Sequence, residues 1–159
     1  MARLPITSGA DNTILRTVSS VVTSVDKKLL KLIGDMRTTM DEEDGIGIAA
    51  PQVGVNLRLA LAKLNPGTKN ENVIVMINPE ILNHVDTRET NEEGCLSLRG
   101  KWGSVPRYQS LTVQFFNKKM EKITLALTDL NARIIQHEVD HLDAKLFIDR
   151  VVGKVREEV

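Results

Sequence analysis

Between Asp26 and Met40, apolar residues recur at Leu29, Ile33, Met36 and Met40, with Leu30 widening the stripe. Spacings of three and four predict an amphipathic helix with one buried face. Gly34 weakens it slightly, and it runs into Asp41-Glu42-Glu43-Asp44, anions that a helix C-terminus disfavours. Gly45 follows, so the chain is expected to leave the helix there. Four short apolar or alternating runs read as strands: Leu57 to Ala62, Val73 to Ile77, Leu111 to Phe116 and Ile123 to Leu127. Asn-Pro, Pro-Gly and Asn-Lys-Lys turn material separates them, and Asn70 to Asn72 suits a hairpin tip between the first two. A second helix opens near Thr128 or Asp129, either of which could cap it. It carries Leu130, Ile134, His137 and His141 along one face. The expected class is α+β, with antiparallel strands packed around this late helix and the amphipathic helix near the N-terminus.

No repeat or linker divides the 159 residues, which suit one domain over 1–159, with Val151 to Val159 as a short charged tail. Lys plus Arg and Asp plus Glu both number 21, so the net charge is zero. That balance argues against a protein that coats nucleic acid or a polybasic membrane binder. Hydrophobic residues at 42% and charged residues at 26% exclude a disordered chain. A single cysteine excludes an intramolecular disulfide. No apolar run approaches the ~18 residues of a membrane span, and the N-terminus lacks the layout of a secretory signal. The expectation is a soluble, cytoplasmic protein with no direct nucleic-acid or membrane partner.

The sharpest chemical signal is His137-Glu138-Val139-Asp140-His141. Histidines at i and i+4 on a helix point the same way, so both imidazoles can reach one metal ion. Glu138, about 100° round the helix from His137, can address a water there without being a ligand. Two histidines leave the site incomplete, and the only other one, His84, lies in the polar stretch Asn83-His84-Val85-Asp86, where a solvated residue is expected. Cys95 is the better third ligand. It is flanked by Gly94 and preceded by Glu92 and Glu93, a poor setting for an apolar core thiol. Those glutamates would raise a free thiol's pKa, so a metal is the more plausible stabiliser of its thiolate.

A third motif is Gly45-Ile46-Gly47-Ile48-Ala49-Ala50-Pro51-Gln52. A dinucleotide-binding reading of it needs a preceding strand and a following helix, and the acidic helix end and Pro51 argue against both. Alternate glycines instead let a backbone approach a ligand closely. Gln52 would then offer an amide donor to a developing oxyanion.

Taken in order, G-x-G-x-A-A-x-Q, E-G-C-L-S and Q-H-E-x-D-H resemble the motifs of the peptide deformylase family. Here they span Gly45 to Gln52, Glu93 to Ser97 and Gln136 to His141. The resemblance runs from about Asn12 through Asp149, nearly the whole chain. It implies removal of formyl from the N-terminal formylmethionine of nascent chains, with release of formate. Cys95, His137 and His141 would hold the metal, Glu138 would move the proton, and Gln52 with the Leu96 N–H would stabilise the oxyanion. The implied metal is Fe2+, with Zn2+, Ni2+ or Co2+ able to substitute. Leu130 and Ile134 would line the methionine pocket, and the Ile46, Gly47 and Gly94 backbones would pair with an extended peptide. Glu93 and Arg107 occupy family-like positions, which implies either an ion pair that steadies the Cys95 loop or an exposed pair of no consequence.

Two departures from the common pattern stand out. Where the family often has an apolar residue and proline after the cysteine motif, this chain has Leu98-Arg99-Gly100-Lys101-Trp102. Longer bacterial members also carry a C-terminal helix for docking at the ribosome, so ribosome association is left open here. Two other classes compete. An endopeptidase would take a carboxylate or histidine as third ligand; a silent formyl-peptide sensor would be expected to lack Glu138 or Gln52.

Overall fold

A computed structural model describes residues 1–158. Helix α1 (Lys27–Glu42) opens at Asp26, whose carboxylate accepts the Leu29 N–H at 2.8 Å. Leu29, Ile33, Met36 and Met40 are buried, as their spacing predicts, while Leu30 is left largely exposed. Helix α2 (Asp129–Leu142) carries the histidine motif. Thr128 stands at its N-cap without a side-chain cap bond, and the Asp129 carboxylate instead accepts from Gln109 Nε2. The expected side-chain cap is therefore not made by either residue.

Five antiparallel strands form the larger sheet, in the order β1 (Gly47–Ala49), β2 (Leu59–Leu64), β3 (Asn72–His84), β6 (Ser110–Phe116) and β7 (Lys122–Thr128). A second sheet has the order β4 (Arg88–Glu93), β5 (Lys101–Tyr108) and β8 (Val152–Glu157). The four sequence-predicted strands correspond to β2, β3, β6 and β7, with boundaries moved by up to several residues. The second sheet was not predicted. Most of the segment read as a charged tail is a strand: β8 pairs Glu157 with Lys101 and Arg156 with Trp102. The tail's last residue, Val159, lies outside the described residues.

Strand β2 explains how the two helices are held. Successive side chains on a strand point to opposite faces. Leu59 and Leu61 join the cluster around Leu29, Ile33, Met36 and Met40 of α1. Ala60 and Ala62 join the cluster around Ile134, Ile135 and Val139 of α2. The alanines let α2 approach the sheet closely, and its motif is thereby fixed against a rigid support. A third cluster, Leu15, Leu98, Val105, Leu146 and Phe147, floors the loop that carries Cys95. No helix among the described residues is long and apolar enough to cross a membrane.

Candidate active site

Cys95 enters the site from the turn after β4, while His137 and His141 come from consecutive turns of α2. One donor atom from each lies within 4.8 Å of the others. Cys95 Sγ is 3.4 Å from His141 Nε2. Burial alone would push the Cys95 thiol up, but His141 and His137 outweigh it and hold the thiol well below its ordinary range. A thiolate beside two imidazoles is a donor set for a divalent transition ion, and three protein ligands leave a position open. The residues present therefore fit a catalytic metal.

His137 is aimed by Glu93. Its Nδ1 is 2.9 Å from Glu93 Oε1, which leaves Nε2 for the cluster. Burial would raise the Glu93 carboxyl, but Arg107 and His137 override it and hold Glu93 far below the usual carboxylate range. Arg107 donates to both Glu93 oxygens at 2.9 Å and to Asp140 Oδ2 at 2.6 Å. The expected Glu93–Arg107 pair is thus present, and it is buried. Asp140 also accepts from Arg150, at 2.6 and 2.9 Å, so it belongs to this network and does not face solvent.

Glu138 is 3% exposed, and burial raises its carboxyl above the ordinary value. Its Oε1 has no hydrogen-bond partner among the described residues. The carboxylate rests against Gly47, where an added Cβ would lie 2.4 Å from Oε2. The second glycine of the G-x-G motif is therefore required by the Glu138 side chain. Gln52 is equally fixed. Its Oε1 accepts the Ala49 N–H at 2.9 Å, which turns Nε2 towards Ser97 Oγ at 3.2 Å and Cys95 Sγ at 3.4 Å. Leu96 begins the 3₁₀ turn Leu96–Leu98, where the first N–H groups are free of intrahelical bonds.

A cavity of about 520 Å³ opens above these groups, with Ile134, Leu130, Ile46 and Gly94 in its walls. Ile134 is buried at its base, whereas Leu130 is 48% exposed at its rim. Among the described residues the outer edges of β1 and β4 have no strand partner, and both border the cavity. His84 stands apart at the end of β3, its ring stacked on Tyr108 with centroids 3.5 Å apart.

Comparison with known proteins bears directly on this arrangement. The family model described as polypeptide deformylase matches residues 4–157. This chain belongs to the polypeptide deformylase family. A peptide deformylase of Clostridium botulinum is 42% identical over 143 residues, covering 90% of this chain and 93% of that one. A Thermotoga maritima peptide deformylase structure is 35% identical with a TM-score of 0.89, covering 96% of this chain and 100% of that one. A Met-Ala-Ser-bound class I type b enzyme from Acinetobacter baumannii is 34% identical with a TM-score of 0.87, covering 94% and 99%.

Arg133 of this deformylase site escaped sequence reasoning, while Trp102 was singled out there without a role. Arg133 donates to Glu93 Oε2 at 2.6 Å, to the Val105 carbonyl at 2.9 Å and to the Glu89 carbonyl at 2.6 Å. It ties α2 to β4 and β5 around the carboxylate that aims His137. Its signal was present: it precedes His137 by four residues, so a charged side chain lies on the motif's own face. Trp102 covers Gly94 so closely that a Cβ there would lie 2.5 Å from Cζ3 of the indole. Glycine before the cysteine is in this chain a requirement of that ring.

Proposed function

We propose that this protein hydrolyses the N-formyl group of N-terminal formylmethionine on nascent polypeptides in the cytoplasm, releasing formate. The carrying observation is the convergence of Cys95, His137 and His141 beside the buried Glu138, beneath a cavity with two open sheet edges. The peptide Met-Ala-Ser bound to the Acinetobacter baumannii relative has the form of a deformylated product, which supports the same reading.

Cys95, His137 and His141 would hold the metal, for which the family resemblance points to Fe2+; Zn2+, Ni2+ or Co2+ suit the same donors. Bound there, the ion supplies Lewis acidity, lowering the pKa of a water towards ~7 and polarising the formyl carbonyl. Glu138 takes a proton from the attacking water and delivers it to the departing amine nitrogen. Gln52 Nε2 and the Leu96 N–H donate to the charge that develops on the formyl oxygen. Glu93, held by Arg107, keeps the His137 ring in its ligating orientation.

Substrate is held along its backbone. An extended peptide would add to the edges offered by Ile46, Gly47 and Gly94, with its methionine side chain against Ile134 and Leu130. Backbone recognition accepts many following residues, as an enzyme acting on most new chains requires.

The test is formate release from formyl-Met-Ala-Ser, with metal content measured alongside. Wild type should release formate, while Glu138→Ala should retain metal and lose activity by about 100-fold or more. A metal-replete wild type that releases none would overturn the reading. Cys95→Ser should lose metal; undiminished metal binding would favour the endopeptidase alternative.

A further inference from the structure

Beyond the formyl centre, the cavity ends at an ion pair that joins its two banks. Glu43 follows α1 on the bank of Gly45 to Gly47, and Arg99 follows the Leu96–Leu98 turn on the bank of Gly94 and Cys95. Arg99 Nη2 donates to Glu43 Oε2, and Arg3 Nη2 donates to Glu43 Oε1. A second, open cleft lies against residues 3–8 of the N-terminal segment. The two spaces share only Glu43 and Arg99 in their linings, so the Glu43–Arg99 contact is the partition between them. A polypeptide that leaves the catalytic cavity on this side meets the partition.

We propose that Arg99 is a specificity-determining residue, which favours substrates carrying an aspartate or glutamate a few residues after the formylmethionine. The proposal rests on the deformylase reading of the site and adds a preference within it.

Accessibility decides the sign. The Arg99 side chain is 59% exposed and that of Glu43 only 9%, so an incoming side chain reaches the guanidinium and not the carboxylate. The partners left behind decide it as well. When Arg99 turns to a peptide carboxylate, Glu43 keeps Arg3, and no buried anion is stranded. A peptide lysine would instead have to displace one of two arginines from a nearly covered carboxylate. Asp44, on the same bank as Glu43, opposes an acidic residue close to the metal ligands, so the preference should depend on position.

Reach is consistent with this assignment. Arg99 is four residues from Cys95, hence no more than about 14 Å along the backbone, a span that an extended peptide covers in about four residues. The arginine is not required by its own backbone. At φ −59° and ψ 138° the position has the geometry of proline, the residue the family commonly places there.

The experiment walks one Asp or one Lys through the second to fifth positions of formyl-Met-Ala-Ser-Ala-Ala. It measures kcat/KM at low salt for wild type, Arg99→Gln and Arg99→Pro, each normalised to its own rate on formyl-Met-Ala-Ser. Wild type should prefer Asp over Lys by about 3- to 5-fold at one or two positions, the range of an exposed ion pair. The preference should fall to about 1 in both variants and in 0.5 M salt. An Asp/Lys ratio near 1 throughout in an enzyme that does turn over formyl-Met-Ala-Ser, or a ratio that survives in both variants, overturns the proposal. No turnover of formyl-Met-Ala-Ser by metal-replete wild type instead overturns the deformylase reading and takes this preference with it.

Discussion

His137 donates from Nδ1 to Glu93 Oε1 at 2.9 Å, and the other oxygen of the same carboxylate accepts from Arg107 and Arg133 at 2.9 and 2.6 Å. The donor must be the histidine, because a carboxylate held far below its usual range has no proton to give. Glu93→Gln keeps the shape and removes the charge. Metal affinity, measured by competition with a chelator, should fall about 10- to 100-fold. Stability should fall by about 3 kcal/mol in urea titrations at pH 7, since two buried arginines lose their shared anion. Unchanged metal affinity would mean that Glu93 does not aim the ligand.

The same carboxylate sets an acid limit. Its pKa is lowered on folding, from about 4.3 in the unfolded chain, so its contribution is full only about a unit or more above that value. It is lost progressively as pH falls below about 5, when the unfolded state begins to bind a proton that the folded state refuses. Urea midpoints between pH 7 and pH 3 should fall more steeply for wild type than for Glu93→Gln. Parallel curves would assign the acid sensitivity to other carboxylates.

Gly47→Ala places a Cβ 2.4 Å from Glu138 Oε2 and so must move that carboxylate. A displacement of about 1 Å from reacting geometry costs about 100-fold. We expect kcat on formyl-Met-Ala-Ser to fall by that order while metal content stays at the wild-type level. A near-normal kcat would show that Glu138 works from a different position.

Gly94→Ala drives a Cβ into the indole of Trp102, the only tryptophan in the chain. Intrinsic emission therefore reports directly on this wall of the cavity. The variant should show red-shifted emission as the ring is pushed towards water, together with a raised KM. An unaltered spectrum would mean that the loop, and not the ring, gives way.

Much of the site was legible because its chemistry demands unusual residues in short motifs. Two histidines one turn apart, a cysteine among glutamates and alternating glycines are each hard to explain otherwise. The second sheet was not legible, for physical reasons. Strand β4 reads Arg-Glu-Thr-Asn-Glu-Glu and is mostly exposed, so no alternation marks it. In β5, Gly103 and Pro106 interrupt the pattern, and every residue of β8 is exposed. These strands are specified by pairing and by buried charge more than by apolar side chains. Arg133 was missed for the converse reason, because a lone arginine on a helix ordinarily denotes solvent.

Strand β1 has three residues and one partner. A long unpaired edge invites any other strand, including a copy of itself, and is a standing hazard for stacking into fibrils. One of three residues, ended by the 3₁₀ turn at Ala50–Val53, is too brief to template such growth. In the proposed reaction it would still grip the end of a passing chain. Brevity would thus keep that grip temporary, so that a translation product is held for one reaction and let go unchanged in every other respect.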